Sequence, residues 1–111
     1  KNQVQLLFRN GHVHKYPNKT FTNWRSRSHI AIEEQLPGSL YPTLTNPVSL
    51  VVDYTPGDAR TRDVSGQLDA LFHLLVYAKV LKDDGLVHHV RWTRHPMNRK
   101  APQVTIHIEE I

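Results

Sequence analysis

The chain has 111 residues, 39% of them hydrophobic, and no cysteine; that is the size of one domain with one core, and it excludes disulfide frameworks, thiolate zinc sites and cysteine nucleophiles. Fourteen Lys and Arg against ten Asp and Glu leave a formal net charge of +4 and a pI near 9.6, a balance that suits a polyanionic partner. No apolar run approaches the length of a membrane span and no secretory h-region opens the sequence, so a soluble, intracellular protein is expected, with a few residues preceding Lys1 because no initiating methionine stands there.

Residues 4–8 and 12–16 flank Asn10-Gly11, a dipeptide that accepts the positive φ angles of a tight turn, and predict a hairpin of two antiparallel strands. Trp24, His29, Ile32 and Leu36 are spaced for one face of a helix over 22–36, with Glu33 and Glu34 outward and Pro37-Gly38 closing it. Residues 40–46 contain Pro42 and turn formers and predict a loop. Residues 48–54 are β-branched and bounded by Pro47 and Pro56, which marks the clearest strand and the one expected at the centre of the sheet. The loop 56–62 leads to Asp63 and a second helix over 65–81. Leu68, Leu71, Phe72, Leu75 and Val76 form one apolar stripe of that helix and Ala70, Leu74, Tyr77 and Ala78 another, so it must be covered on two sides. A second copy of the same helix is the expected cover, which predicts a homodimer. After the turn Asp83-Asp84-Gly85, residues 86–93 and 103–108 alternate as strands around a basic loop 95–102. The order ββαβαββ predicts an α+β fold, a single domain over residues 1–111 with one small, mainly antiparallel or mixed sheet and two helices.

Chemistry is expected where charge concentrates. Asp63 stands at the mouth of the second helix, Asp69 on its first turns, and Asp83 and Asp84 just beyond its end, with Arg60 and Arg62 immediately upstream. A carboxylate flanked by arginines can hold a divalent ion while its neighbours hold phosphate. Arg91, Arg94, Arg99 and Lys100 form a further basic group, and Arg25 and Arg27 another. Each feature also has a plainer role: Asp63 is a good N-terminal cap, Asp83-Asp84-Gly85 an ordinary turn, and arginine groups are commonly solvated surface. The eight histidines make no recognised zinc spacing. His12 and His14 share a strand face, His88 and His89 adjoin on opposite faces, and only His73, one turn after Asp69, stands near the expected site. Trp24, Trp92 and the tyrosines could stack on bases, but in a domain of this size an aromatic more often serves the core.

Residues 56–87 resemble one family, the RusA-type Holliday junction resolvases. The family pattern there is an arginine-rich or proline-led loop into Asp-x-Asp-Asn, a lysine four residues beyond the second Asp, an apolar helix and an Asp-Asp pair. Here the matching positions read Asp63-Val64-Ser65-Gly66, then Asp69, the helix and Asp83-Asp84. Ser65 thus stands at the second aspartate, Gly66 at the asparagine and Asp69 at the lysine, and the family's proline-rich N-terminal loop is not recognisable.

The resemblance implies a small homodimeric endonuclease, dependent on Mg2+ or Mn2+, that cleaves four-way DNA junctions in recombination and repair, is often carried by phages or prophages, and works in the bacterial cytoplasm. It implies Asp63 and Asp84 as metal ligands. Asp69 is expected to replace the carboxylate missing at Ser65, and Lys82 the missing lysine, so the expected catalytic set is Asp63, Asp69, Lys82 and Asp84. Arg60 and Arg62 are expected on the scissile or neighbouring phosphate, and Arg91, Arg94, Arg99 and Lys100 on the backbone of the duplex arms. The departures leave an alternative, a RusA-like protein without cleavage that binds branched or duplex DNA or a protein partner. A basic α+β module binding RNA is a third reading, in which the match at Asp63 and Asp84 is chance.

Helix length adds a constraint. At about 1.5 Å rise per residue, roughly 15 helical residues separate the helix ends by more than about 20 Å. Asp63 and Asp84 of one chain are therefore not expected to share an ion, whereas antiparallel pairing of two copies would set Asp63 of one beside Asp84 of the other.

Overall fold

Alternating apolar and polar residues make four strands in the computed structural model, which describes residues 3–9, 13, 19–36 and 43–111. The strands are β1 (Gln3–Arg9), β2 (Val48–Thr55), β3 (Val87–Arg94) and β4 (Gln103–Glu110); α1 (Lys19–Gln35) follows β1 and α2 (Val64–Tyr77) follows β2. The chain divides into two compact units. One holds Lys1–His12, Asn46–Thr61 and Gly85–Ile111, and with them the whole sheet; the other holds Val13–Thr45 and Arg62–Asp84, and with them both helices. The α+β class, the mixed sheet and the two helices agree with expectation. Among the described residues no helix is long and apolar enough to cross a membrane.

The sheet order is β1-β4-β2-β3. β1 and β2 each pair antiparallel with β4, and β2 pairs parallel with β3, so β2 lies inside the sheet as its β-branched run requires. Of the expected hairpin only the first strand is described. β1 pairs with β4, from Gln3 opposite Glu109 to Arg9 opposite Gln103, and the expected second strand, 12–16, lies outside the described residues except for Val13, which is in no strand. The two C-terminal strands also do not pair with each other, because β2 sits between them. Their connection crosses the end of β2, where Tyr54 O accepts from His95 N at 2.8 Å and Pro56 O accepts from Asn98 N at 2.8 Å.

Period-two burial follows from the pleat. Val4, Leu6 and Phe8 of β1, Val104, Ile106 and Ile108 of β4, and Val48, Leu50, Val52 and Tyr54 of β2 are buried, while their alternates are half-buried or exposed. The buried carboxylate of Glu110 closes the end of this row by accepting from Asn46 Nδ2 at 2.6 Å. Edge strand β3 has no buried residue. Its register against β2 shifts between Val48, opposite Val87, and Ser49, opposite His89, so His88 is the extra residue of a bulge that breaks the simple alternation expected for the His88-His89 pair.

In the helical unit, α1 buries Phe21, Trp24, Ser28 and Ile32. Trp24 and Ile32 are on the face expected from sequence, while Ser28 takes the place given to His29 and Leu36 is half-buried. α2 buries Gln67, Ala70, Leu71, Leu74 and Leu75, whereas Leu68, Phe72 and Val76 stay half-buried and Val64 is exposed. Edge-on contact between the Phe21 and His73 rings, 5.3 Å between centroids, joins the two helices.

Two substitutions separate packing from polarity in the sheet. Ile106 is fully buried on interior strand β4, opposite Leu6 and Val52, and Ile106→Ala is expected to lower the unfolding free energy by about 2–5 kcal/mol in chemical denaturation. The buried Tyr54 hydroxyl has no hydrogen-bond partner among the described residues, so Tyr54→Phe should cost under about 1 kcal/mol or stabilise. A loss of about 2 kcal/mol or more in Tyr54→Phe would mean that the hydroxyl is satisfied.

Candidate functional site

The first candidate residue sits where α2 begins. Asp63 occupies the N-cap position in an extended conformation, φ −72° and ψ 113°, and its carbonyl accepts from Gln67 N at 3.1 Å. Its side chain makes no cap bond to the helix amides; Oδ1 accepts the Ser65 hydroxyl at 3.0 Å instead. The plainer reading of Asp63 as a side-chain cap therefore does not hold, and Ser65 supports the carboxylate from the position where a second aspartate was sought.

The other carboxylates are positioned by the way α2 ends. The helix stops at Tyr77, one turn short of the Leu81 expected from its apolar pattern. Lys79 adopts the left-handed conformation, φ 61°, while Lys79 N donates to Val76 O at 3.0 Å and Val80 N to Leu75 O at 2.9 Å. This is the paired 5→2 and 6→1 bonding that satisfies the last carbonyls of a helix and turns the chain back. Val80 and Leu81, fully or almost fully buried, then run beside Leu44: Leu44 N donates to Val80 O at 2.9 Å and Lys82 N to Leu44 O at 3.0 Å.

The reversal returns the Lys82-Asp83-Asp84 segment to the flank of α2. An open cavity of about 620 Å³ is lined by Asp69, His73, Val76 and Tyr77 of the helix and by Lys82, Asp83 and Asp84 of the returning segment. Three expected site residues, Asp69, Lys82 and Asp84, thus line one cavity of one chain. Asp63 is not among the lining residues. Three carboxylates against one ammonium make the cavity acidic. Their oxygens are the hard donors that magnesium prefers. Among the described residues no three His, Asp or Glu side chains form a group that could hold a metal ion, so an ion here would take one or two carboxylates and fill its shell with water and substrate oxygens, which magnesium tolerates.

Behind the cavity lies a layer that sequence reasoning missed. The Arg25 guanidinium of α1 stacks over the Tyr77 ring at 4.1 Å, and its Nη1 lies 3.0 Å from His73 Nε2. On the same ring, His29 packs edge-on at 5.2 Å between centroids and pairs with Glu33 at 2.9 Å. The only advance signal was spacing, since Asp69, His73 and Tyr77 follow each other at i, i+4 and i+8 on α2.

The expected basic residues are divided between the units. Arg62 accompanies the carboxylates in the helical unit, whereas Arg60, Arg91, Arg94, Arg99 and Lys100 belong to the sheet unit. There Arg94 Nη2 donates to Arg60 O at 3.1 Å, and Arg91, Arg99 and Lys100 are exposed. A second pairing was not foreseen: His95 Nε2 lies 2.8 Å from Asp53 Oδ1 on the half-exposed sheet face. No family model matches the chain, and no curated protein matches it.

The reversal at Lys79 can be tested directly. Glycine adopts φ near 60° without the Cβ penalty, so Lys79→Gly is expected to raise the unfolding free energy by about 1 kcal/mol, and Lys79→Val to lower it by at least as much. Thermal melts of both variants measure this, and a destabilised Lys79→Gly would show that the turn is not held as described.

Proposed function

We propose that this protein is a structure-specific DNA endonuclease of RusA type, which resolves four-way junctions by divalent-metal-dependent hydrolysis of phosphodiesters. The observation that carries it is the return of Asp84 to Asp69 in one acidic cavity, within the segment whose sequence resembles that family. Of the two carboxylates that the resemblance marks, Asp84 lines the cavity and Asp63 does not; the fold-back sets Asp84 in one cavity with Asp69, which stands at the family's lysine, and with Lys82.

In this proposal Asp84 and Asp69 hold Mg2+ or Mn2+, and Asp63, oriented by Ser65, is the third carboxylate of the site. When bound, the ion neutralises charge on the phosphate being transferred and activates water. Lys82, on the cavity wall, supplies a point charge for a non-bridging phosphate oxygen. Arg62 and Arg60 flank the entry to α2 and take neighbouring phosphates, and the exposed Arg91, Arg99 and Lys100, with Arg94, bind the backbone of the arms without reading sequence. The protein acts as a homodimer. The half-buried Leu68, Phe72 and Val76, extended by exposed Val64, form an i, i+4 stripe on α2 that a second copy would cover.

One observation favours a second reading, a junction-binding protein without cleavage. The position of the family's second aspartate carries a hydroxyl that is itself bonded to Asp63, and a hydroxyl contributes no charge to a metal site. The two are separated by incubating the protein with a synthetic four-way junction and Mg2+, beside a linear duplex. Paired nicks near the crossover, reduced roughly 100-fold or more in Asp84→Asn, are expected; tight junction binding with no nicks would establish the second reading, and no preference for the junction would refute both. Sedimentation equilibrium checks the assembly: the native chain is expected as a dimer and Phe72→Asp as a monomer, because an unpaired carboxylate would be buried in the apolar contact.

A further inference from the structure

We infer that Arg25 is a positioning residue that fixes His73 in its neutral Nδ1–H tautomer, so that His73 serves the cavity as a hydrogen-bond donor to a non-bridging phosphate oxygen. The tautomer follows from the chemistry of the pair. A guanidinium has five N–H donors, no acceptor, and does not lose its proton. With Arg25 Nη1 3.0 Å from His73 Nε2, Nε2 must accept, and in a neutral imidazole the proton then resides on Nδ1. Whatever Nδ1 meets, it meets as a donor.

Arg25 is held for this task from two directions. Its guanidinium carbon lies over the Tyr77 ring at 4.1 Å, with the Phe21 ring 5.7 Å away on its own helix, and such cation–π contact restricts where a guanidinium can sit. Its Nε is buried and has no hydrogen-bond partner among the described residues, so the head is anchored by Nη1 and the ring rather than by a carboxylate. The charged and titratable groups around His73 are then Arg25 and His29 from α1, Asp69 and Tyr77 on the adjoining turns of α2, and Lys82, Asp83 and Asp84 from the returning segment.

The consequence is selectivity for the ligand atom. A histidine free to exchange tautomers could accept from a base or a hydroxyl as readily as it donates. One fixed with Nδ1–H favours an acceptor, and the phosphate oxygen is the acceptor that every nucleotide presents whatever its base. The identity of that acceptor rests on the nuclease proposal; the tautomer does not.

The test has two independent arms. Nitrogen NMR of the imidazoles at about pH 8, where unperturbed histidines are neutral, is expected to show His73 with an unprotonated Nε2 and a protonated Nδ1, retained in Arg25→Lys, which is still donor-only, and relaxed toward Nε2–H in Arg25→Met. A native His73 protonated at Nε2 would overturn the assignment outright. Junction cleavage at saturating substrate is expected to fall about 10-fold or more in Arg25→Met, in the range seen when groups that orient a ligand are removed, and to recover substantially in Arg25→Lys. Thermal melts identify a variant that has merely unfolded. Full cleavage in a folded Arg25→Met whose tautomer has relaxed would refute the positioning role, whereas a native protein that shows the tautomer but never cuts would refute the nuclease proposal and leave the assignment standing.

Discussion

A helix must end where its last carbonyls can find donors, and here one left-handed residue sets that place. Lys79 lets Val76 O and Leu75 O accept from the turn rather than from further helix, and everything distinctive about the helical unit depends on this. Val80 and Leu81 leave the helix and join Leu44, and the segment that follows has no course except back along α2. The cost of a non-glycine residue at φ 61°, of order 1 kcal/mol, is offset by the burial of Val80 and Leu81, each worth about 1.5–3 kcal/mol. The fold can therefore tolerate lysine at a position that favours glycine. Without the reversal, Asp69 and Asp84 would face different surroundings and no acidic cavity would form.

The electrostatics of the cavity narrow what it can bind. Asp69, Asp83 and Asp84 outnumber Lys82, so a bare phosphodiester would be repelled and a cation, or an anion accompanied by one, is favoured. This is the charge pattern of sites where a divalent ion mediates between carboxylates and a phosphate. The excess positive charge of the chain lies elsewhere: Arg60, Arg91, Arg94, Arg99 and Lys100 are all in the sheet unit. Arg25 differs from all of these, since stacking and a histidine contact hold it against α2.

Much of the fold was legible because period and composition agree. β2 is β-branched between prolines and proves to be an interior strand, and β4 alternates from Gln103 onward as the sequence indicates. What misled was local. Val80 and Leu81 continue the apolar pattern of α2, and no glycine or asparagine marks the stop, so the helix read four residues too long; the reason it ends is a tertiary contact with Leu44 that no window of sequence contains. The partner of β1 was equally hidden. Asn10-Gly11 is a strong turn signal, yet β1 pairs with a strand almost a hundred residues away, and long-range pairing leaves no trace in local spacing. Of the site, Asp69, Lys82 and Asp84 were named from sequence and do share a cavity, while Arg25, whose role needs α1 laid beside α2, could not be found by spacing within either helix.

Asp63 bears on how such a site could be completed. It precedes Asp69 by six residues, about 9 Å along the axis and about a third of a turn around it, and it is not among the residues that line the cavity. Leu68, Phe72 and Val76 follow the adjoining side of the helix, and Val76 belongs both to the half-buried stripe and to the cavity wall. A second α2 covering that stripe would therefore run along the rim of the cavity, and laid antiparallel it would carry its own Asp63 toward the far end of the first helix, where Lys82 and Asp84 return. The two apolar stripes of α2 are the reason to expect a dimer, and the span of the helix adds that Asp63, which lies outside the cavity, would join it from a second copy. A dimeric site would consequently draw two carboxylates from one chain and one from the other, and the Ser65 hydroxyl, bonded to Asp63, would act across the interface rather than within its own cavity.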